Sequence, residues 1–167
     1  MCEEFWVAEG GNGIVLETPK KFTVLAGSAE GPTRLNAFDN ALLAAGIGNV
    51  NLLRVSSILP PHSVQVAHLE IVPGQLMPTA YGTITSENQG ETIAAAVAIA
   101  IGGPAEYGVI MEFSGRCTKE EAEEQVAEMA RAAFLQRNRE LQRIVVQAVE
   151  HRVVGIGCAF AAVALWY

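Results

Sequence analysis

Charge is scarce in this chain. Only 17% of its 167 residues are Asp, Glu, Lys or Arg, and the 11 basic residues are outnumbered by 18 acidic ones, for a net charge of -7. No basic stripe forms anywhere along it, which removes the electrostatic footprint of a nucleic-acid-binding protein. The three cysteines, Cys2, Cys117 and Cys158, are odd in number and far apart, so neither a disulfide framework nor a CxxC metal motif is available. His62, His68 and His151 are isolated, with no second ligand at metal spacing, and no metal site is expected. Lysine occurs only as Lys20, Lys21 and Lys119, all in charged surroundings, which argues against a Schiff-base lysine buried in an apolar pocket. There is no phosphate loop and no dinucleotide fingerprint: Gly46-Ile47-Gly48 lacks a third glycine and precedes a strand-like run rather than a helix. The longest apolar stretch, 153–167, falls short of the roughly 18 residues a membrane span needs. The start, Met1-Cys2-Glu3-Glu4, is acidic where a secretion signal is basic. A cytoplasmic protein without membrane or nucleic-acid partners is expected.

What is present is apolar surface. Half of the chain is hydrophobic, and its length allows one domain, 1–167, with a sizeable core. Many Ala, Val and Gly residues with few charges suggest further burial in an oligomer. Residues 1–17 are Gly-rich around Gly10-Gly11-Asn12-Gly13 and read as loosely ordered. The spacing predicts strands over 22–26, 50–56, 79–86, 107–114, 143–154 and 158–166. A short helix is predicted over 36–45, with Asn36 as its N-cap and Gly46 as its stop. Residues 91–101 are Ala-rich, and their length favours a helix. Thr118-Lys119-Glu120-Glu121 is a capping box opening a helix that runs to about Asn138, with Ala122, Val126, Met129, Ala133 and Phe134 on its apolar stripe. No repeat is present. The class is α+β, a β-sheet sandwich flanked by helices.

With other chemistries removed, demanding catalysis falls to a hydroxyl, a carboxylate or a cofactor the chain makes itself. Ser56-Ser57 stands between the apolar run 50–55 and Ile58-Leu59-Pro60-Pro61. The plain reading is a polar strand end before a proline turn. The chemical reading is that the Ser57 hydroxyl attacks the preceding carbonyl, forming an ester that eliminates to dehydroalanine and hydrolyses to a pyruvoyl ketone. Asn51 lies in a run of Leu, Val and Arg although Asn is depleted in strands. Buried, its amide would need partners, and the carbonyl near Ser56 is one candidate; otherwise it is an edge or turn residue. Glu112 shares a strand face with Ile110 and Ser114, opposite Val109, Met111 and Phe113. It reads either as an outward glutamate on a half-exposed sheet or, if buried, as a proton donor. Asp39 falls in the first turn of the predicted helix, where the dipole favours a carboxylate whatever its function. Its functional alternative is counter-ion to a cationic substrate.

The blocks Leu35-Asn36-Ala37-Phe38-Asp39-Asn40-Ala41, Gly46-Ile47-Gly48-Asn49-Val50-Asn51-Leu52, Val55-Ser56-Ser57-Ile58-Leu59-Pro60-Pro61, Pro78-Thr79-Ala80-Tyr81-Gly82, Met111-Glu112, Glu150-His151 and Gly157-Cys158-Ala159-Phe160 together resemble the archaeal-type pyruvoyl-dependent arginine decarboxylases. The resemblance covers nearly all of the chain after about residue 22. It implies self-cleavage between Ser56 and Ser57 into a β chain, 1–56, and an α chain, 57–167, with Ser57 converted to a covalent pyruvoyl group and neither pyridoxal phosphate nor metal. It implies decarboxylation of L-arginine to agmatine, in a homotrimer with active sites between subunits. By position, Asn51 matches a residue assisting self-processing, Glu112 the proton donor, Asp39 an acid contacting the guanidinium, and Leu35, Gly48 and Val50 the pocket lining. On that assignment, Glu112→Gln leaves self-cleavage largely intact and slows decarboxylation. Competing readings are a self-cleaving amidase with Ser57 as N-terminal nucleophile, a decarboxylase of another cationic amino acid, and an uncleaved trimer that binds a small ligand.

Overall fold

The computed structural model describes residues 17–167, so most of the Gly-rich segment lies outside the described residues. In chain order the elements are β1 (Lys21–Glu30), α1 (Arg34–Ala44), β2 (Asn51–Arg54), β3 (Ile58–Leu59), β4 (Val64–Gln65), β5 (Leu76–Ser86), β6 (Thr92–Ile101), β7 (Gly108–Gly115), α2 (Lys119–Gln136), β8 (Arg143–Arg152) and β9 (Gly157–Trp166). They form a five-stranded sheet in the order β2-β5-β9-β1-β4 and a four-stranded sheet in the order β3-β7-β6-β8. The sheets face each other, α1 covers the outside of the first and α2 the outside of the second. The result is the expected α+β sandwich flanked by helices.

Alternation explains the layering, because side chains of a strand point to opposite faces with period two. In β9, Ala159, Ala161, Val163 and Leu165 point between the sheets, while Cys158, Phe160, Ala162 and Ala164 point to α1. Strand β6 does the same. Ile93, Ala95, Val97 and Ile99 fill the sandwich, and Ala94, Ala96, Ala98 and Ala100 meet Ala122, Val126, Ala130 and Phe134 of α2. Both central strands are therefore buried on two faces, and both read as unbroken apolar runs.

That double burial corrects one expectation. Residues 91–101 are a strand, not a helix: β6 pairs with β7 and β8 along its length. Ile93, Val97, Ile99 and Ile101 at odd positions, against alanine at 94, 96, 98 and 100, already carry the period of two, and tertiary pairing outweighs the helix propensity of alanine. The helix expected over 36–45 begins earlier. Thr33 is the N-cap, its hydroxyl accepting from the Asn36 N–H at 3.2 Å, so Asn36 lies inside the helix. Asp39 consequently sits beyond the first turn, and the dipole does not account for it. Gly46 does close this helix region, with φ of 82°. Helix α1 packs so closely on β1 that a Cβ at Gly27 would stand 2.5 Å from Ala41 O and Ala45 N. The capping box of α2 forms as expected; within its stripe Met129 is half-buried, and Ala130 takes the fully buried place.

Candidate active site

The run expected as one strand over 50–56 breaks where the chemistry is expected. Strand β2 pairs in parallel with β5, and the Val55 N–H extends that pairing to Thr79 O at 3.2 Å. Two residues later the chain belongs to the other sheet: the Ile110 N–H donates to Ser57 O at 2.8 Å, and Ile58 and Leu59 pair with β7. The Ser56–Ser57 peptide is thus the crossing between the two sheets. A cut there would break no ladder hydrogen bond: β2 would stay paired with β5 across the two products, and β3 with β7 within the longer one.

Glu112 comes to Ser57 through the register. Ile58 is opposite Val109, so Ser57 stands opposite Ile110 and the diagonal position on the same face is Glu112. Diagonal neighbours lie about 7–8 Å apart at the backbone, within reach of a long side chain. The Ser57 hydroxyl donates to Glu112 Oε1 at 3.1 Å. Both residues are half-buried, so the outward-glutamate reading of Glu112 is wrong; the carboxylate faces Ser57. The opposite sheet presses close, since a Cβ at Gly82 would lie 2.7 Å from Phe113 O. That glycine, alone within a strand pattern, was a readable sign of close backbone approach.

Asn51 is elsewhere. It is exposed, and its amide donates to Gly74 O at 2.8 Å, at the far end of β2. With a rise of about 3.3 Å per residue, it stands roughly 13 Å from Val55 along the strand. It therefore does not meet the Ser56 carbonyl within one chain, and its partner is a turn backbone rather than the reacting peptide. Gly48 and Val50 line a cavity of about 260 Å³ together with Leu43, Leu69, Ile71 and Pro73. Leu35 and Asp39 lie on the exposed face of α1, at the i, i+4 spacing that continues to Leu43 at the cavity wall. Asn51 thus adjoins Val50 of this first group, and Ser57 and Glu112 form a second. The residues expected at one site fall into two groups at opposite ends of β2.

Of the histidines, His151 is satisfied by Glu30, Nε2 to Oε1 2.6 Å. Sequence reading missed the Thr79 carbonyl and the Ile110 N–H that hold the crossing. Backbone groups leave no signal in residue type, so nothing in the sequence could have named them.

A serine hydroxyl on a carboxylate, at a peptide that can be cut without loss of a ladder, fits a pyruvoyl group made in place. The family model for pyruvoyl-dependent arginine decarboxylase matches residues 21–167. The chain belongs to this family. It is 55% identical over 150 residues to the pyruvoyl-dependent arginine decarboxylase of Methanocaldococcus jannaschii, covering 89% of this chain and 91% of that protein. To the protein of the same name from Methanococcus aeolicus it is 49% identical over 152 residues, 90% and 92% of the two chains. To that from Thermococcus kodakarensis it is 46% identical over 151 residues, 90% and 96%.

Proposed function

We propose that this protein decarboxylates L-arginine to agmatine and carbon dioxide with a pyruvoyl group that it makes from its own Ser57. The observation that carries the reading is the Ser57–Glu112 hydrogen bond, in a chain of this family. Glu112 accepts the hydroxyl proton as Ser57 Oγ bonds to the Ser56 carbonyl carbon. The peptide C–N bond then breaks, and the nitrogen takes a proton, leaving an ester and a free amine. Loss of the Ser57 Cα proton breaks the Cβ–O bond and releases 1–56 with Ser56 as its C-terminal carboxylate. Water converts the remaining enamine to the ketone and releases ammonia. Every step is redox-neutral.

The ketone supplies the electron sink that allows arginine to lose its carboxylate. The chain's part is to hold the substrate and manage one proton. Glu112 stays at the new N-terminus of 57–167 and delivers a proton to the substrate Cα. Asp39 pairs with the guanidinium, and Leu35, Gly48 and Val50 line the pocket around its alkyl stem.

These two groups meet between subunits of a trimer. Asp39 and the cavity at Gly48 stand at the opposite end of β2 from Ser57 within one chain, and on that side of the described residues Leu35 is 75% and Leu76 63% exposed. A neighbouring subunit laid on this surface brings its Ser57–Glu112 pair to the guanidinium pocket and buries the leucines. Asn51 then assists processing at the neighbour's serine. The enzyme works in the cytoplasm, in keeping with free Cys117 and Cys158. Among the described residues no helix is long and apolar enough to cross a membrane.

Mass spectrometry of the denatured protein, followed by a screen of amino acids for carbon dioxide release, tests the reading. Two chains, 1–56 and 57–167, the latter blocked by a ketone, with release from arginine above histidine and lysine, are expected. An α chain with a free serine end would make it an amidase. Equal release from lysine would remove the guanidinium pocket.

A further inference from the structure

We propose that the Ile58 backbone amide is a positioning group for self-processing: it closes a turn around Ser57 that must open before the hydroxyl can attack. The proposal rests on Ser56–Ser57 being the processed bond. The Ile58 N–H donates to Ser56 O at 2.9 Å, an i to i+2 bond that makes Ser57 the centre of a γ-turn. Such turns come in two forms. Among the described residues other than glycine, only His62 and Asn138 have positive φ, so Ser57 takes the inverse form, with φ about -75°.

At that torsion the Ser57 Cβ lies nearly anti to the Ser56 carbonyl carbon across the N–Cα bond. Attack requires the opposite. The ring that forms contains the Ser56 carbonyl carbon and the Ser57 N, Cα, Cβ and Oγ, and a five-membered ring closes only when Cβ swings toward that carbon. The closed turn therefore keeps the nucleophile on Glu112, 3.1 Å away, and off the carbonyl. Acceptor and hydroxyl are in place; the backbone torsion is not.

The surrounding hydrogen bonds confine the motion. Val55 is tied to Thr79 and Ser57 O is tied to Ile110, so only the peptide units around Ser56 and Ser57 need to turn. Ser57 and Ile110 form a hydrogen-bonded pair, which makes Ile58 and Val109 the next, non-bonded pair. The Ile58 N–H points away from β7 and serves the turn alone. Its side chain is 41% exposed, so residue 58 can change without opening the core.

Ile58→Pro tests this directly. Proline removes the N–H and steers residue 57 toward extended backbone, while the β3–β7 bond at Ser57 stays. Conversion of full-length chain to 57–167, followed on denaturing gels from the moment of synthesis, should run about fivefold faster than in the parent, the factor of one neutral hydrogen bond. A merely structural role for Ile58 does not accelerate cleavage. An unchanged rate overturns the proposal. So does a rate a hundredfold or more slower, which would make the N–H a donor to the developing oxyanion. A parent chain that never cleaves removes the processing assignment itself. Independently of how Ile58→Pro folds, amide exchange in the Ser57→Ala chain should find the Ile58 N–H protected; exchange at the rate of a free amide removes the turn.

Discussion

The Ser57 hydroxyl and the Glu112 carboxylate are one unit, and their contact changes what a substitution at 112 should do. A glutamate that only donates a proton to the product would be dispensable for self-cleavage. One that already accepts from the attacking hydroxyl is not. Glu112→Gln should slow appearance of the 57–167 chain by roughly a hundredfold or more, the usual worth of a general base, and should slow decarboxylation by any chain that does form. Time courses of both, on one preparation, separate the effects. Glu30 is another carboxylate with several partners. It accepts from the Val154 N–H and the Gly155 N–H, each at 2.9 Å, and pairs with His151. Partial desolvation pushes this carboxyl up, but the Val154 bond, His151 and the Gly155 bond together hold it below the ordinary glutamate range. A carboxylate lowered by folding contributes stability above its unfolded pKa, near 4.3, and loses that contribution as pH falls through its folded value. Unfolding followed between pH 6 and 3 should therefore show a stability loss below about pH 4.5 that is smaller in Glu30→Gln.

At the scale of elements, the legible parts were those with strong local chemistry. The capping box at Thr118 and Glu121 named the start of α2 because both side chains bond backbone within one turn. The helix read at 91–101 failed because its alanines answer to partners distant in sequence, α2 on one face and the facing sheet on the other. The start of α1 was missed by three residues, since Thr33 and Asn36 are both good caps and only the path of the chain chooses between them. Close packing is testable here. Gly27→Ala places a Cβ against backbone atoms of α1 that cannot step aside, and about 1–3 kcal/mol of destabilisation is expected, seen as a melting temperature lower by several degrees. Phe134→Ala empties the contact between α2 and β6 and should cost about 3–5 kcal/mol in chemical denaturation.

For the whole molecule, cleavage at the proposed Ser56–Ser57 bond would divide the chain without dividing the fold. β1 and α1 would belong to the shorter product, yet β1 lies between β9 and β4 of the longer one, paired with β9 from Lys21 to Glu30. The two products should co-elute in size exclusion and part only in denaturant. The proposed sharing of sites between subunits carries a second expectation. Subunits carrying Asp39→Ala and subunits carrying Glu112→Gln, each weak alone, should regain part of the activity when unfolded and refolded together, because a mixed trimer holds some interfaces with both groups intact. No recovery would place the whole site within one chain.

Composition and local pattern sufficed for the class of fold and for the strand face that carries Glu112, because burial period and residue chemistry are properties of short stretches. They could not say that Asn51 and Ser57 stand at opposite ends of one strand, that the Ser56–Ser57 peptide is the step between two sheets, or that its carbonyl is held in a turn. Those facts depend on which strands pair and in what register. Register is settled by contacts between residues far apart along the chain, where the side chains in question carry no local mark of their partners.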